Sequence, residues 1–346
     1  MPQSPQAAWR PTIADVAKAA GVSRTTVSHA LSGLGKVDPR TRERVKQVAV
    51  DLGYRPNLRA QRLRRGHAQA IALASSMPLA VAGGPARLGF YMEVAAAAAE
   101  RALTHGYALV LVPPVYSGSG LESVDIDGAI VVEPARDDAV VAQLNARGLP
   151  YVTLGRHLDA STDMPQVDLQ GGQVIELLLE HLREQGARRP ALLIGVGDRH
   201  AYVDMRAAFE RVAEQNGRPA VIVAATEERG EQAGYDCCAA LLVDHPETDA
   251  VCAMVDTFAV GAVRAIQDSG RTVPSDVLVV TRYDGIRART CAPPLTAVNL
   301  HLASAADDAV ELLLSRLRGD TRPTVVTAPP PEVIARASSL RLTTRA

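Results

Sequence analysis

The stretch that most constrains this chain is 12–31, TIADVAKAAGVSRTTVSHAL, in which two short amphipathic segments flank a single glycine. Thr12 stands where a helix N-cap is wanted, and Asp15, three residues on, can reach back to it as in a capping box. Ile13, Val16, Ala17 and Ala20 recur at helical spacing and make one apolar stripe. Gly21 supplies the left-handed backbone that ends a helix without a Cβ clash. Ser23 follows as the cap of a second helix, in which Val27, Ala30 and Leu31 share the inward face. Arg24, Thr25, Ser28 and His29 are left outward, and their donors and acceptors suit the edges of bases in a major groove. Helix, glycine turn and a helix with a polar outer face is the helix-turn-helix pattern. An ordinary helical hairpin with a solvated face has the same period, so the flanks must separate the two.

Asp38-Pro39 starts a third helix with a capping Asp and a Pro at the first helical position. Val45, Val48, Ala49 and Leu52 form the buried stripe of that helix over 41–52, and Gly53 stops it. Tyr54-Arg55-Pro56-Asn57 reads as a turn in which Asn57 can cap a short helix over 58–65, with 66–69 as linker. Charge agrees with this division. Residues 1–70 hold 13 Lys and Arg against 4 Asp and Glu, whereas the rest hold 24 against 34. A chain of formal charge −1 is therefore a basic head on an acidic body, which suits phosphate contact at one end and discourages it elsewhere.

From residue 70 onward apolar runs alternate with amphipathic helical stretches. Strands are expected at 70–74, 108–112, 128–132, 151–154, 190–194, 220–223, 250–254 and 277–280. Helices fall between them, among them 91–104, 171–185, 205–216, 231–244 and 258–269. Such alternation with continuous apolar strands implies parallel sheets covered on both faces. Two sheets of roughly equal length joined at a waist would leave a ligand cleft beyond the carboxyl ends of the strands.

The segments GVSRTTVSHALSG, VDPRTRERV, LGYRPN and RAQRLR resemble, in order and spacing over about sixty residues, the DNA-binding head and hinge of the lactose/galactose-repressor family. DTFAVGAVRAI and PPLTAV resemble the core of the same family. The resemblance implies an α/β chain with an N-terminal all-α helix-turn-helix head over 12–56 and a hinge helix with linker over 57–69. A two-lobed periplasmic-binding-protein-like α/β core over 70–346 would follow, and 1–11 would be a disordered tail. The N-lobe would span about 70–165 and 300–325, and the C-lobe 166–299 and 326–346, with crossovers near 160–170, 295–302 and 325.

On the same resemblance Arg24, Thr25, Ser28 and His29 read base edges. Thr12, Ser23, Thr26, Tyr54 and Asn57 hold phosphates through hydroxyl, amide and helix-terminus donors, and Lys36, Arg40 and Arg42 add backbone charge. A hinge of eight residues is too short for a stable isolated helix; paired with its twin it would fold in the minor groove. There Ala60 permits close approach and Leu63 either wedges between base pairs or packs on its own head. Dimer symmetry implies an inverted-repeat operator. The family commonly has Arg where this chain has His29, which donates one bond per ring nitrogen and changes charge near neutral pH.

The effector residues implied are Phe90, Tyr91, Arg156, Tyr202, Arg206, Arg229, Asp256 and Asp284. Asp256 reads equally as a helix cap, and Arg206 and Arg229 as anion binders or partners of surface carboxylates. The chain departs from the family at Gly155 (often Asp), Val255 (often polar), Leu300 (often Gln) and Met205 (often Arg, here one step along at Arg206). Its one Trp, Trp9, lies outside the body. The segment 75–85 is longer than the family usually carries and stands where it would cover the cleft mouth.

Four cysteines, Cys237, Cys238, Cys252 and Cys291, show no disulfide or zinc spacing. The N-terminus lacks a signal-peptide pattern and no apolar run is long enough to span a membrane, so the chain is read as cytoplasmic. Ile194-Gly195-Val196-Gly197-Asp198-Arg199-His200 begins as a dinucleotide fingerprint but has His200 where its third glycine should be. No catalytic constellation, cofactor motif or metal set emerges. The chain is therefore expected to be not an enzyme but a DNA-binding transcription regulator. It would act as a repressor that binds a palindromic operator as a homodimer and answers a sugar-like or anionic effector. A cytoplasmic solute-binding protein and an NAD-linked enzyme are the rival readings.

Overall fold

The computed structural model describes residues 11–33, 35–55, 67–78, 81, 89–112, 121–158, 164–322 and 324–341. The expected tail lies almost wholly outside these residues, as do Asn57, Ala60, Leu63 and most of 75–85. The chain forms two compact units, divided after Ala68.

The first unit contains α1 (Ile13–Ala20), α2 (Arg24–Ser32) and α3 (Pro39–Asp51). Each start is fixed by a side chain from just outside or just inside the helix. The Asp15 carboxylate accepts the Thr12 N–H at 2.8 Å and its hydroxyl at 2.7 Å, and these bonds hold the Asp15 carboxyl below the usual range. Ser23 Oγ accepts the Thr26 N–H at 3.1 Å, and Asp38 accepts the Thr41 N–H at 3.0 Å. Caps of this kind stabilise by about 1 kcal/mol each. Gly21, at φ +64°, ends α1 in the left-handed region. Val16, Val27 and Val45, one from each helix, are fully buried together, with Ala17, Ala20, Ala30 and Ala49 around them. The small residues let three short helices close on one another around a core that no single pair would bury.

The second unit is built on two parallel sheets. One has the strand order β11-β5-β4-β3-β1-β2, from Val325–Thr327, Gln166–Asp168, Tyr151–Leu154, Gly128–Val132, Ala70–Ser75 and Ala108–Leu111 respectively. The other has the order β7-β6-β8-β9, from Val221–Ala225, Pro190–Gly195, Ala250–Ala253 and Leu278–Thr281. The sheets thus have six and four strands rather than roughly equal size. Strands β1, β3, β4, β8 and β9 are buried along their whole length, which is why they read as runs that are apolar but for Ser75, Thr153 and Thr281. In the first lobe α4 (Phe90–Thr104) packs on α11 (Leu302–Leu317), and α5 (Ala139–Ala146) follows β3. In the second lobe α6 (Gly171–Glu184) packs on α7 (His200–Gln215), α8 (Gly230–Asp244) packs on α9 (Asp256–Asp268), and the short α10 (Ile286–Thr290) also meets α9. The α8–α9 pair is unusually close. A Cβ on Gly234 would lie 2.4 Å from Phe258 Cα, and one on Gly261 would lie 2.1 Å from the Glu231 carbonyl oxygen. Helix α7 begins five residues earlier than the expected 205, because the segment His200–Asp204 continues the same buried stripe through Ala201 and Tyr202.

The two lobes share three crossings, two of which are built alike. Gln170 and His301, both non-glycine residues at φ +56° and +51°, immediately precede α6 and α11. Each N–H is accepted by the side chain two residues back, Asp168 at 2.8 Å and Asn299 at 3.0 Å. The Gln170 amide also donates to the carbonyls of Ala328 and Pro329 at 2.8 and 3.2 Å, tying the first crossing to the third. Beyond that third crossing β12 (Glu332–Ile334) pairs antiparallel with β10 (Ala297–Asn299).

Candidate nucleic-acid interface and inter-lobe cleft

In the first unit the residues expected to read DNA share one face of α2. Arg24 and Thr25 are exposed, and Ser28 and His29, one turn on, are half-buried. The His29 ring packs against Gly35, where a Cβ would fall 2.6 Å from His29 Nδ1; at φ +78° the position also favours glycine. Gly35 therefore sets how far the imidazole stands out from α2. Thr12 and Ser23 are helix caps, and the Thr26 hydroxyl lies 2.9 Å from Ser23 Oγ. Their side chains brace the helix ends. Lys36 and Arg40 are exposed, and Arg42 and Tyr54 half-buried.

In the second unit the carboxyl ends of the two sheets face one another, and charged side chains cross between them. Glu133 follows β3 and sits in the left-handed region at φ +48°, a conformation that costs a non-glycine residue about 1–3 kcal/mol. Its carboxylate accepts from Arg282 Nη2 at 2.5 Å, and its carbonyl accepts from Arg199 Nη1. Arg199 also donates to Ser76 Oγ at 3.2 Å and lies 3.6 Å from Glu227 Oε2. Glu227 accepts the Tyr202 hydroxyl. Burial and the neighbouring Glu227 push the Tyr202 phenol well up, so it stays a donor. All four charged residues are less than 10% exposed, and two guanidiniums face two carboxylates. Burying such groups is favourable only when each is paired and hydrogen-bonded.

Around this centre the Tyr283 hydroxyl donates to Glu93 at 2.6 Å, and its ring meets Phe90 edge-on at 5.4 Å. Arg282 lies 5.8 Å from the centre of the Phe90 ring. Arg136 Nε binds Asp198 at 2.5 Å at the rim. Glycines make the space. A Cβ on Gly155 would be 3.1 Å from the Glu133 carboxyl carbon, and one on Gly195 would be 2.7 Å from the Tyr202 ring. The Gly195-x-Gly197 pair thus clears room for side chains of this lobe.

The structure brings Phe90 and Tyr202 of the expected effector residues into this cleft and disperses several others. The Tyr91 hydroxyl is bonded to the carbonyls of Leu73 and Val112 at 2.6 and 3.0 Å, inside the first lobe. Arg206 is exposed on α7. Arg229 is exposed and pairs with Asp236 at 2.8 Å, and Arg156 lies 4.0 Å from Asp168 at the surface. Asp256 is buried and meets Arg287 at 3.2 Å; burial raises its pKa against the pull of that guanidinium. It is the first residue of α9 rather than its cap. Asp284 is held between Arg289 and Arg336 at 3.1 and 2.6 Å. Glu133, Arg199, Glu227 and Arg282 carry no local sequence pattern; their one shared signal is a charge within a few residues of the end of an apolar strand.

Comparison with known proteins bears on both units. A family model for bacterial regulatory proteins of the lacI family matches residues 12–57, and one for a periplasmic binding protein-like domain matches 179–339. The HTH-type transcriptional regulator CelR of Thermobifida fusca is 32% identical over 329 residues, covering 90% of this chain and 93% of its own. A solved transcriptional regulator CelR–cellobiose complex shares 28% identity at a TM-score of 0.68, covering 95% of this chain and 100% of that one. The lac repressor dimer bound to operator and the anti-inducer ONPF shares 25% identity at a TM-score of 0.76, covering 96% and 100%. With its helix-turn-helix head and its two-lobed α/β core, the chain belongs to the lacI family of bacterial transcription regulators.

Proposed function

We propose that this regulator is a homodimeric repressor of the bacterial cytoplasm that binds an inverted-repeat operator and is tuned by a small neutral polyhydroxy compound. The observation that carries the effector class is the inter-lobe centre, where two buried arginines and two buried glutamates cancel in formal charge. A neutral sugar can exchange hydroxyl groups for these hydrogen bonds without adding net charge to a buried site, whereas an anion would leave an uncompensated charge there. The cellobiose bound by the related CelR structure supports the same class. Phe90 and Tyr283 supply aromatic surface beside the polar groups, as sugar rings require.

On the DNA side Arg24, Thr25, Ser28 and His29 specify bases, while Lys36 and Arg40 add charge against the backbone. Asn57, Ala60 and Leu63 serve the hinge. Because Glu133 belongs to one lobe and Arg199 and Arg282 to the other, an effector that replaces their bonds changes the lobe angle and so the operator affinity. The test is fluorescence anisotropy of a duplex carrying the inverted repeat that the protein selects, titrated with and without cellobiose or glucose 6-phosphate. A shift in affinity with the neutral sugar alone is expected. A response to the anion alone would overturn the neutral assignment.

A further inference from the structure

The second lobe carries another cleft, of about 800 Å³, at the amino ends of β6 and β7 and therefore at the opposite end of the sheet from the inter-lobe centre. Its volume falls in the range of small-molecule sites. The floor is apolar, with Leu179, Leu182, Phe209 and Val212 contributed by α6 and α7. The rim is cationic. Arg183 is bound by Glu180 at 2.6 and 2.8 Å, and Glu176 is taken by Arg211. Arg188, Arg189 and Arg218 have no acceptor for their guanidinium groups among the described residues. The backbone carrying two of them is fixed, because the N–H groups of Arg188 and Arg189 both donate to the Asp249 carboxylate, at 2.7 and 2.8 Å. Helices α6 and α7 end at this rim. Each helix end carries about half a negative charge, and with Glu247, which also lines the cleft, they offset about two of the three cations.

We propose that this cleft is a second small-molecule site, separate from the one between the lobes, and that it takes an organic anion. The apolar body of the ligand lies on Ala187, Val212 and Ala213, which line the cleft and keep part of their surface open, and its acidic oxygens are held by Arg188, Arg189 and Arg218, whose planar donors match carboxylate, sulfonate or phosphate oxygens. Excess positive charge over an apolar floor selects such a ligand over a neutral sugar, which would leave the guanidiniums without acceptors. The regulator thereby gains an input that does not pass through the inter-lobe centre.

The test uses the full chain and the anionic dye 1-anilinonaphthalene-8-sulfonate, followed by its fluorescence. One saturable site per chain is expected, unaffected by cellobiose. The triple variant R188Q/R189Q/R218Q should bind the dye at least tenfold more weakly while binding neutral N-phenyl-1-naphthylamine as the parent does. Ala213→Trp, which puts a large side chain into the cleft, should weaken both dyes. Unchanged anionic-dye binding in the triple variant, or displacement of the dye by cellobiose, would overturn the assignment. Equal loss of both dyes in the triple variant would overturn it too, by showing that charge does not select the ligand. None of these readouts involves DNA or an operator, so the proposal stands or falls apart from the repressor reading.

Discussion

Replacing Glu133 by glutamine leaves Arg282 buried without the carboxylate that now sits 2.5 Å from it. Two unit charges about 4 Å apart interact by about 4 kcal/mol at an effective dielectric near 20. Deleting one member of a buried pair costs about 3–5 kcal/mol, because the other charge stays desolvated. The two routes agree, and the low exposure of Glu133 and Arg282, 4% and 7%, places the pair in the buried regime rather than the surface one. Urea unfolding of Glu133→Gln, Arg282→Met and the double variant measures the effect. Each single substitution should lower stability by about 3–5 kcal/mol, and the double variant should lose much less than the sum. Additivity within about 0.5 kcal/mol would instead mean that the lobes open enough for water to solvate both charges and that the pair is not coupled.

Other consequences are as direct. Gly35→Ala puts a Cβ at φ +78° and 2.6 Å from His29 Nδ1; the head should lose about 1–2 kcal/mol in a thermal melt, and the His29 ring resonances should move. Gly261→Ala drives a methyl group into the Glu231 carbonyl of α8, and chemical denaturation should show a loss of about 3 kcal/mol. Burial pushes the Cys238 thiol up to about 12 and Cys252 higher still, while Cys237 and Cys291 are only partly buried. Ellman's reagent at pH 8 should therefore leave Cys238 and Cys252 untouched until the protein is unfolded. Burial lowers the pKa of His181, whose Nε2 lies 2.7 Å from Ser339 Oγ. Above pH about 6.5 the imidazole is neutral in both states. Below that, the unfolded chain takes up a proton that the folded one resists. Stability should then fall as the pH drops toward the depressed folded value, by at most about 1.4 kcal/mol per unit, and His181→Gln should flatten the profile.

How much of this was legible in the sequence depended on the range over which each signal acts. The caps at Thr12, Ser23 and Asp38 and the stripes of α1 to α3 are local, and the helices form where those patterns lie. The buried strands likewise declare themselves as apolar runs. The three-residue strands β5, β10, β11 and β12 do not, because so few residues hold no period. The cleft was harder still. Phe90 and Tyr91 are neighbours in sequence, yet one residue turns a helix by about 100°, so Phe90 faces Tyr283 while the Tyr91 hydroxyl is bonded inside its own lobe. Glu133 and Arg282 lie 149 residues apart. Nothing in either neighbourhood says that a charge there is buried, since pairing across a cleft is a property of tertiary structure alone.

Whether the polar face of α2 reads sequence is decided by selecting bound molecules from random duplex DNA with the purified protein. Recovery of an inverted repeat with a central pyrimidine–purine step is the expected result if it does. Arg24→Ala should relax the preference at one position in each half-site by about 1–3 kcal/mol. Binding that weakens with salt but enriches no sequence, in the parent and the variant alike, would contradict sequence reading by α2.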